Sequence, residues 1–173
     1  MTTDYSEALV RMERGELDAA VPLSEAVERT ARELGAFTLA TMVRQFRSLA
    51  LVSLRRDEEA EALMRESLAS RNDFYRLQAR TLLATLALRR GDVSAVDELR
   101  ATFEEAGPLL NARIPAALAL ARVELAMSRE DEARRYADVA EAALARAGGL
   151  SAAYRAFARV RELLGERPSP HER

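Results

Sequence analysis

Hydrophobic positions recur along this chain at helical spacing, and short polar breaks divide them into pairs of antiparallel helices. The stretch from Leu82 to Leu99 shows the scheme. Leu83, Ala84, Ala87 and Leu88 form one apolar stripe, Arg89-Arg90-Gly91-Asp92 interrupts it, and Ala95 and Leu99 open the next. The same pattern predicts helices over 4–14 and 17–34, parted at Gly15, and over 36–56 and 57–70. It continues over 74–90 and 92–105, closed by Gly107-Pro108, and over 112–128 and 129–147, broken by Gly148-Gly149. Pro22 predicts a kink or a late start in the second helix, and Asn111 and Ser151 read as N-caps. A last helix over 151–164 and a disordered polar tail over 166–173 complete the expectation.

The pairs repeat. One small position in each first helix falls at Ala8, Ala50, Ala84 and Val123, which places successive units 42, 34 and 39 residues apart. Return helices carry a matching stripe: Ala19, Leu23, Ala26; Ala60, Met64, Ser67; Ala95, Leu99, Thr102; Ala133, Ala137, Ala140. One hairpin cannot cover its own apolar face, so hairpins at this spacing stack and share a core, which predicts an α-solenoid. Small residues at the crossings let helix axes approach. A heptad coiled coil fits less well, because Gly and loop residues interrupt every helix too early.

Composition agrees with a folded all-α chain. Of 173 residues 49% are hydrophobic and 31% charged, and seven Gly and five Pro are too few for the turns of an all-β fold. The net charge is −2, and all 26 basic residues are arginine. With no lysine, Schiff-base catalysis and a P-loop are excluded. With no cysteine, thiol nucleophiles, disulfides and Cys-ligated zinc are excluded too. No apolar run approaches the roughly 18 residues that span a bilayer, and the first residues do not read as a secretory signal. Cytoplasmic residence is the expectation.

Catalytic chemistry finds little purchase. The single histidine, His171, lies in the tail, which leaves no His-based triad or metal pair in the fold. Glu58, Glu59 and Glu61, like Glu130, Asp131 and Glu132, fall in the first turn of a return helix, where acids complement the helix dipole. No cofactor or metal is expected, and no enzyme activity.

The pattern L-A-x-x-A-x-x-x-G-D stands in the third unit as Leu83, Ala84, Ala87, Gly91 and Asp92, with Pro108 at the end of the unit. In this the chain resembles tetratricopeptide-repeat (TPR) proteins, over roughly residues 4–147, and specifically the divergent, long-helix TPR-like repeats of bacterial regulators and signalling proteins. The first unit keeps Ala8 and Gly15, whereas the second and fourth lack the turn glycine and read as having shortened turns. Aromatic positions of the family are mostly Ala, Ser or Leu here.

The resemblance implies an all-α TPR-like α-solenoid of antiparallel helical hairpins, wound as a right-handed superhelix, in one domain over 1–165. It implies a non-catalytic scaffold that binds a peptide or protein segment in its concave groove. The family's ligand-facing positions fall on Tyr5, Leu9 and Glu13; on Arg44, Arg47, Leu51 and Arg55; on Gln78, Thr81, Thr85 and Arg89; and on Leu120, Glu124 and Ser128. Arg44, Arg47, Arg55 and Arg89 would make the middle of that groove basic and suited to an acidic or C-terminal peptide. The Lys/Asn set of the chaperone-tail carboxylate clamp is missing. The alternative is a regulatory sensor that takes a small peptide or metabolite in the same groove. Net acidity and a single groove aromatic, Tyr5, argue against nucleic acid. Periodicity leaves self-association open.

Overall fold

The computed structural model describes residues 2–147 together with 160 and 164. Eight helices follow one another among the described residues: α1 (Thr2–Glu13), α2 (Leu17–Glu33), α3 (Phe37–Ser53), α4 (Asp57–Ser67), α5 (Asp73–Arg89), α6 (Ala95–Ala106), α7 (Leu110–Ala126) and α8 (Glu130–Ala147). No strand occurs among them. The helix expected over 151–164 and the tail over 166–173, with His171, lie outside the described residues, apart from Val160 and Leu164. Both of these are buried, and the Leu164 amide donates to the Val160 carbonyl at 3.1 Å.

Several helix starts differ from expectation: α1 begins at Thr2 rather than at 4, α6 at Ala95 rather than at 92, and two others bear on the proline and the cap. Helix α2 begins at Leu17 and runs on through Pro22, so its start is not late. Helix α7 begins at Leu110 rather than after Asn111; Leu109 holds the N-cap position and makes no side-chain capping bond. By contrast Asn72 does cap α5, its Oδ1 accepting the Phe74 amide at 3.0 Å.

All four hairpins turn in the same way. A residue in the left-handed region follows each first helix: Gly15 (φ 76°), Arg55 (φ 63°), Gly91 (φ 90°) and Ser128 (φ 58°). Each turn closes with the same two main-chain bonds. In the first, Gly15 N donates to Met12 O and Glu16 N to Arg11 O; in the second, Arg55 N donates to Val52 O and Arg56 N to Leu51 O. Gly91 and Asp92 donate to Leu88 and Ala87, and Ser128 and Arg129 to Leu125 and Glu124. This is the Schellman closure, which satisfies carbonyls that the helix end leaves unpaired. The second and fourth turns are therefore full length, with Arg55 and Ser128 doing what glycine does in the other two.

That fixes the repeat register. The turn residues lie 40, 36 and 37 positions apart, and counting back seven from each gives Ala8, Ser48, Ala84 and Ala121, all of them buried. Ser48 and Ala121, not Ala50 and Val123, are the small partners of Ala8 and Ala84. Among return helices the stripe in α2 also moves by one, because Ala20, Ser24 and Val27 are buried where Ala19, Leu23 and Ala26 are only half-buried.

Within the stretch read as one domain, contacts gather into two compact units, Met1–Leu86 and Ala87–Arg173. In the first unit α1 packs on α2, α2 on α3, and α3 on α4. Its core joins Val21, Ala50, Leu51, Val52, Ala60 and Leu86, with Met12, Leu17, Leu54, Leu63 and Leu82 around them. Burying a side chain such as Leu51 contributes about 1.5–3 kcal/mol. In the second unit α7 packs against both α6 and α8. Its core holds Leu99, Phe103, Ile114, Leu120, Tyr136 and Leu144, and Phe103 meets Tyr136 edge-on at 5.4 Å. The Arg113 guanidinium lies 4.6 Å above the Phe103 ring and donates to the Gly107 carbonyl, which ties α7 to the turn before it.

Candidate functional site

In the first unit the first helices of successive hairpins touch directly. The Tyr5 hydroxyl of α1 lies 3.8 Å from Met42 Sδ of α3, and Gln45 Nε2 of α3 donates to the Tyr75 carbonyl of α5 at 2.9 Å. Counted from the left-handed turn residues, Tyr5, Gln45 and Thr81 are equivalent positions; so are Leu9, Leu49 and Thr85, and so are Met42 and Gln78. These side chains form one band across α1, α3 and α5.

The band is occupied unevenly. Tyr5, Leu9, Met42, Gln78 and Thr85 are half-buried, Gln45 and Thr81 are buried, and Leu49 stands 52% exposed at the middle of the set. Burial, with Tyr75 alongside, pushes the Tyr5 phenol up from its ordinary value. Thr85 Oγ1 donates to the Thr81 carbonyl at 2.8 Å. Thr81 Oγ1 is buried and finds no partner. Glu13 is exposed at the C-terminal end of α1.

Four expected groove residues lie two positions out of this register. Arg44, Arg47, Leu51 and Arg55 stand where Met42, Gln45, Leu49 and Ser53 belong. A two-residue step turns a helix position by about 200°, from one face to nearly the opposite one. Leu51 is accordingly sealed in the core at 2% exposure. Arg55 is the turn residue itself.

Arg44 and Arg47 point onto the return helices and enclose a buried carboxylate. Glu28 Oε1, on α2, accepts from Arg44 Nε at 2.9 Å and lies 2.8 Å from Arg44 Nη2 and 3.0 Å from Arg32 Nη2. Arg47 Nη2 approaches Glu28 Oε2 at 2.8 Å, while Arg47 Nε is buried with no acceptor. Glu66 of α4 closes the cluster, 2.9 Å from Arg32 and 3.5 Å from Arg44. Burial pushes the Glu28 carboxyl up from its ordinary value, against the downward pull of Arg47 and Arg32. The cluster braces α2, α3 and α4; it does not make a basic groove.

In the second unit the same offset appears. Leu120 and Glu124 are enclosed, at 0% and 1% exposure, where the register calls for Leu118 and Arg122. Glu124 pairs with Arg100 at 2.7 Å and with Arg129 at 3.4 Å. Ser128 is the turn residue, and Arg89 is an exposed residue of the last turn of α5. The acidic clusters pair with arginines: Arg56 Nε donates to Glu59 Oε1 at 2.6 Å, and Arg135 lies 2.8 Å from Glu132. Among the described residues no three His, Cys, Asp or Glu side chains come together as a metal site would require. No described helix is long and apolar enough to cross a membrane.

No protein-family model and no curated protein matches this chain. Leu49 and Gln45 escape a reading of the sequence because the second turn looks too short, and counting back from it sets α3 two residues out.

Proposed function

We propose that this chain is a non-catalytic protein-interaction module, a TPR-like array of the α-solenoid kind at work in the cytoplasm. It binds a peptide or protein segment on the band presented by α1, α3 and α5. The observation that carries this reading is Leu49, half-exposed at the centre of a band whose other members are buried or half-buried. An exposed apolar side chain held on a rigid helix, flanked by ordered neighbours, gives a partner contact area at little entropic penalty.

The test compares wild type with Leu49→Glu as baits for capture, followed by titration of the purified captured protein against each. A partner bound by wild type and lost by Leu49→Glu, with helical circular dichroism unchanged, supports the reading. Equal affinity for both overturns it. Arg44→Glu is unsuitable as a probe of binding, because it would place a second carboxylate against Glu28 and disturb the fold.

A further inference from the structure

We infer that the two ion pairs buried between hairpins act as a pairing code, which fixes the return helix that each first helix accepts. Apolar packing alone discriminates poorly, because the buried apolar residues of α2, α3, α6 and α7 are mostly Ala, Val and Leu. What differs is the sign of the charge. At the α2/α3 contact the return helix brings the carboxylate, Glu28, and the first helix brings Arg44 and Arg47, all three buried. At the α6/α7 contact the arrangement is reversed. There the first helix brings the buried carboxylate, Glu124, and the return helix brings Arg100, 2.7 Å away.

An exchange of helices between two copies of the chain would therefore set like against like. With α2 on α7, Glu28 and Glu124 would be enclosed together, keeping only Arg32 and Arg129 of their own hairpins. With α6 on α3, Arg44 and Arg47 would be enclosed beside Arg100. Arg44 would keep Glu66 of α4 at 3.5 Å, and both would lose Glu28. A buried charge that loses its partner is strongly unfavourable, whereas apolar residues in place of a whole buried cluster are often neutral or stabilising. The clusters thus add little in the right pairing and oppose the wrong one, which is how repulsion yields specificity. This holds whatever the α1/α3/α5 band binds.

The experiment refolds three full-length variants from urea at about 1–100 μM protein. Size-exclusion chromatography with light scattering reads the products, and circular dichroism reads their helix content. In the first variant Glu28→Leu, Arg44→Met and Arg47→Met replace one cluster, leaving Arg32 and Glu66 to pair with each other at 2.9 Å. In the second, Glu124→Leu and Arg100→Met replace the other, and the third variant carries all five changes. Each single-cluster variant keeps a buried charge that rejects the wrong partner, so both are expected to refold to the wild-type species. The five-change variant is expected to be as helical as wild type, yet to form at least about tenfold more higher-mass species, rising with concentration. A wild-type size distribution in the five-change variant overturns the inference. So does equal misassembly in either single-cluster variant, or loss of helix in the five-change variant, because the charges would then support the fold locally without selecting partners.

Discussion

Arg55 and Ser128 occupy the left-handed region at turns where Gly15 and Gly91 occupy it in the other hairpins. A side-chain-bearing residue there is disfavoured by about 1–2 kcal/mol, whereas glycine is not. Glycine gives back about 0.5–1 kcal/mol through its freer unfolded chain. Arg55→Gly and Ser128→Gly are therefore each expected to stabilise by about 0.5–1 kcal/mol. The reverse exchange, Gly91→Ala, is a clean control: a Cβ built at Gly91 meets nothing within 4 Å, so any loss reports backbone conformation alone. That loss should be about 1 kcal/mol. Urea unfolding followed by circular dichroism at 222 nm reads all three, with midpoints moving by roughly 0.3–0.5 M. If Arg55→Gly is neutral or harmful while Gly91→Ala is harmless, the turns are not equivalent, and the register built on them fails.

Other outcomes follow from the packing. Arg47→Met removes a guanidinium that holds the buried Glu28 carboxylate and should destabilise by about 3–5 kcal/mol. Glu124→Gln should cost clearly less, since the Arg100 and Arg129 side chains are 41% and 51% exposed and can turn to water; denaturant midpoints of the two variants rank them. Ala121→Leu should lose about 1–3 kcal/mol by overpacking the small position of α7, while Val123→Leu on its half-buried neighbour should not, as melting curves would show. Tyr5, raised above the ordinary 10.0, favours the native state while protonated. Its contribution is whole below the unfolded pKa and falls away as pH rises through the folded one. Tyr5→Phe should flatten the alkaline limb of a stability–pH profile above about pH 10.

The eight helices of the described residues and most of their boundaries were legible in the sequence because apolar spacing and turn residues agree at nearly every break. Gly15 and Gly91 marked two turns outright. Arg55 and Ser128 could not be read the same way, because nothing in an arginine or a serine announces a positive φ; main-chain hydrogen bonds and packing impose it. The expected groove inherited the error. Helical periodicity says that one face is apolar without saying where its count begins, so a slip of two residues exchanged Leu49 for Leu51 and Gln45 for Arg47. The small positions were more forgiving, since alanine is frequent enough that a shifted frame still lands on one, as it did at Ala50. The Glu28 cluster was invisible for another reason. It unites side chains of α2, α3 and α4, and no local pattern in any of these helices shows a charge turned inward.

The four hairpin closures use amide and carbonyl groups alone, and glycine, arginine, glycine and serine in turn stand at the bend. A turn written in the main chain is indifferent to spelling. Mutation can exchange the letter at such a bend for a penalty near one kilocalorie and leave the path of the chain as it was. Units made in this way differ as text while remaining alike as objects, so their likeness is held in the positions of bends and buried small residues. The letters themselves become a poor record of it.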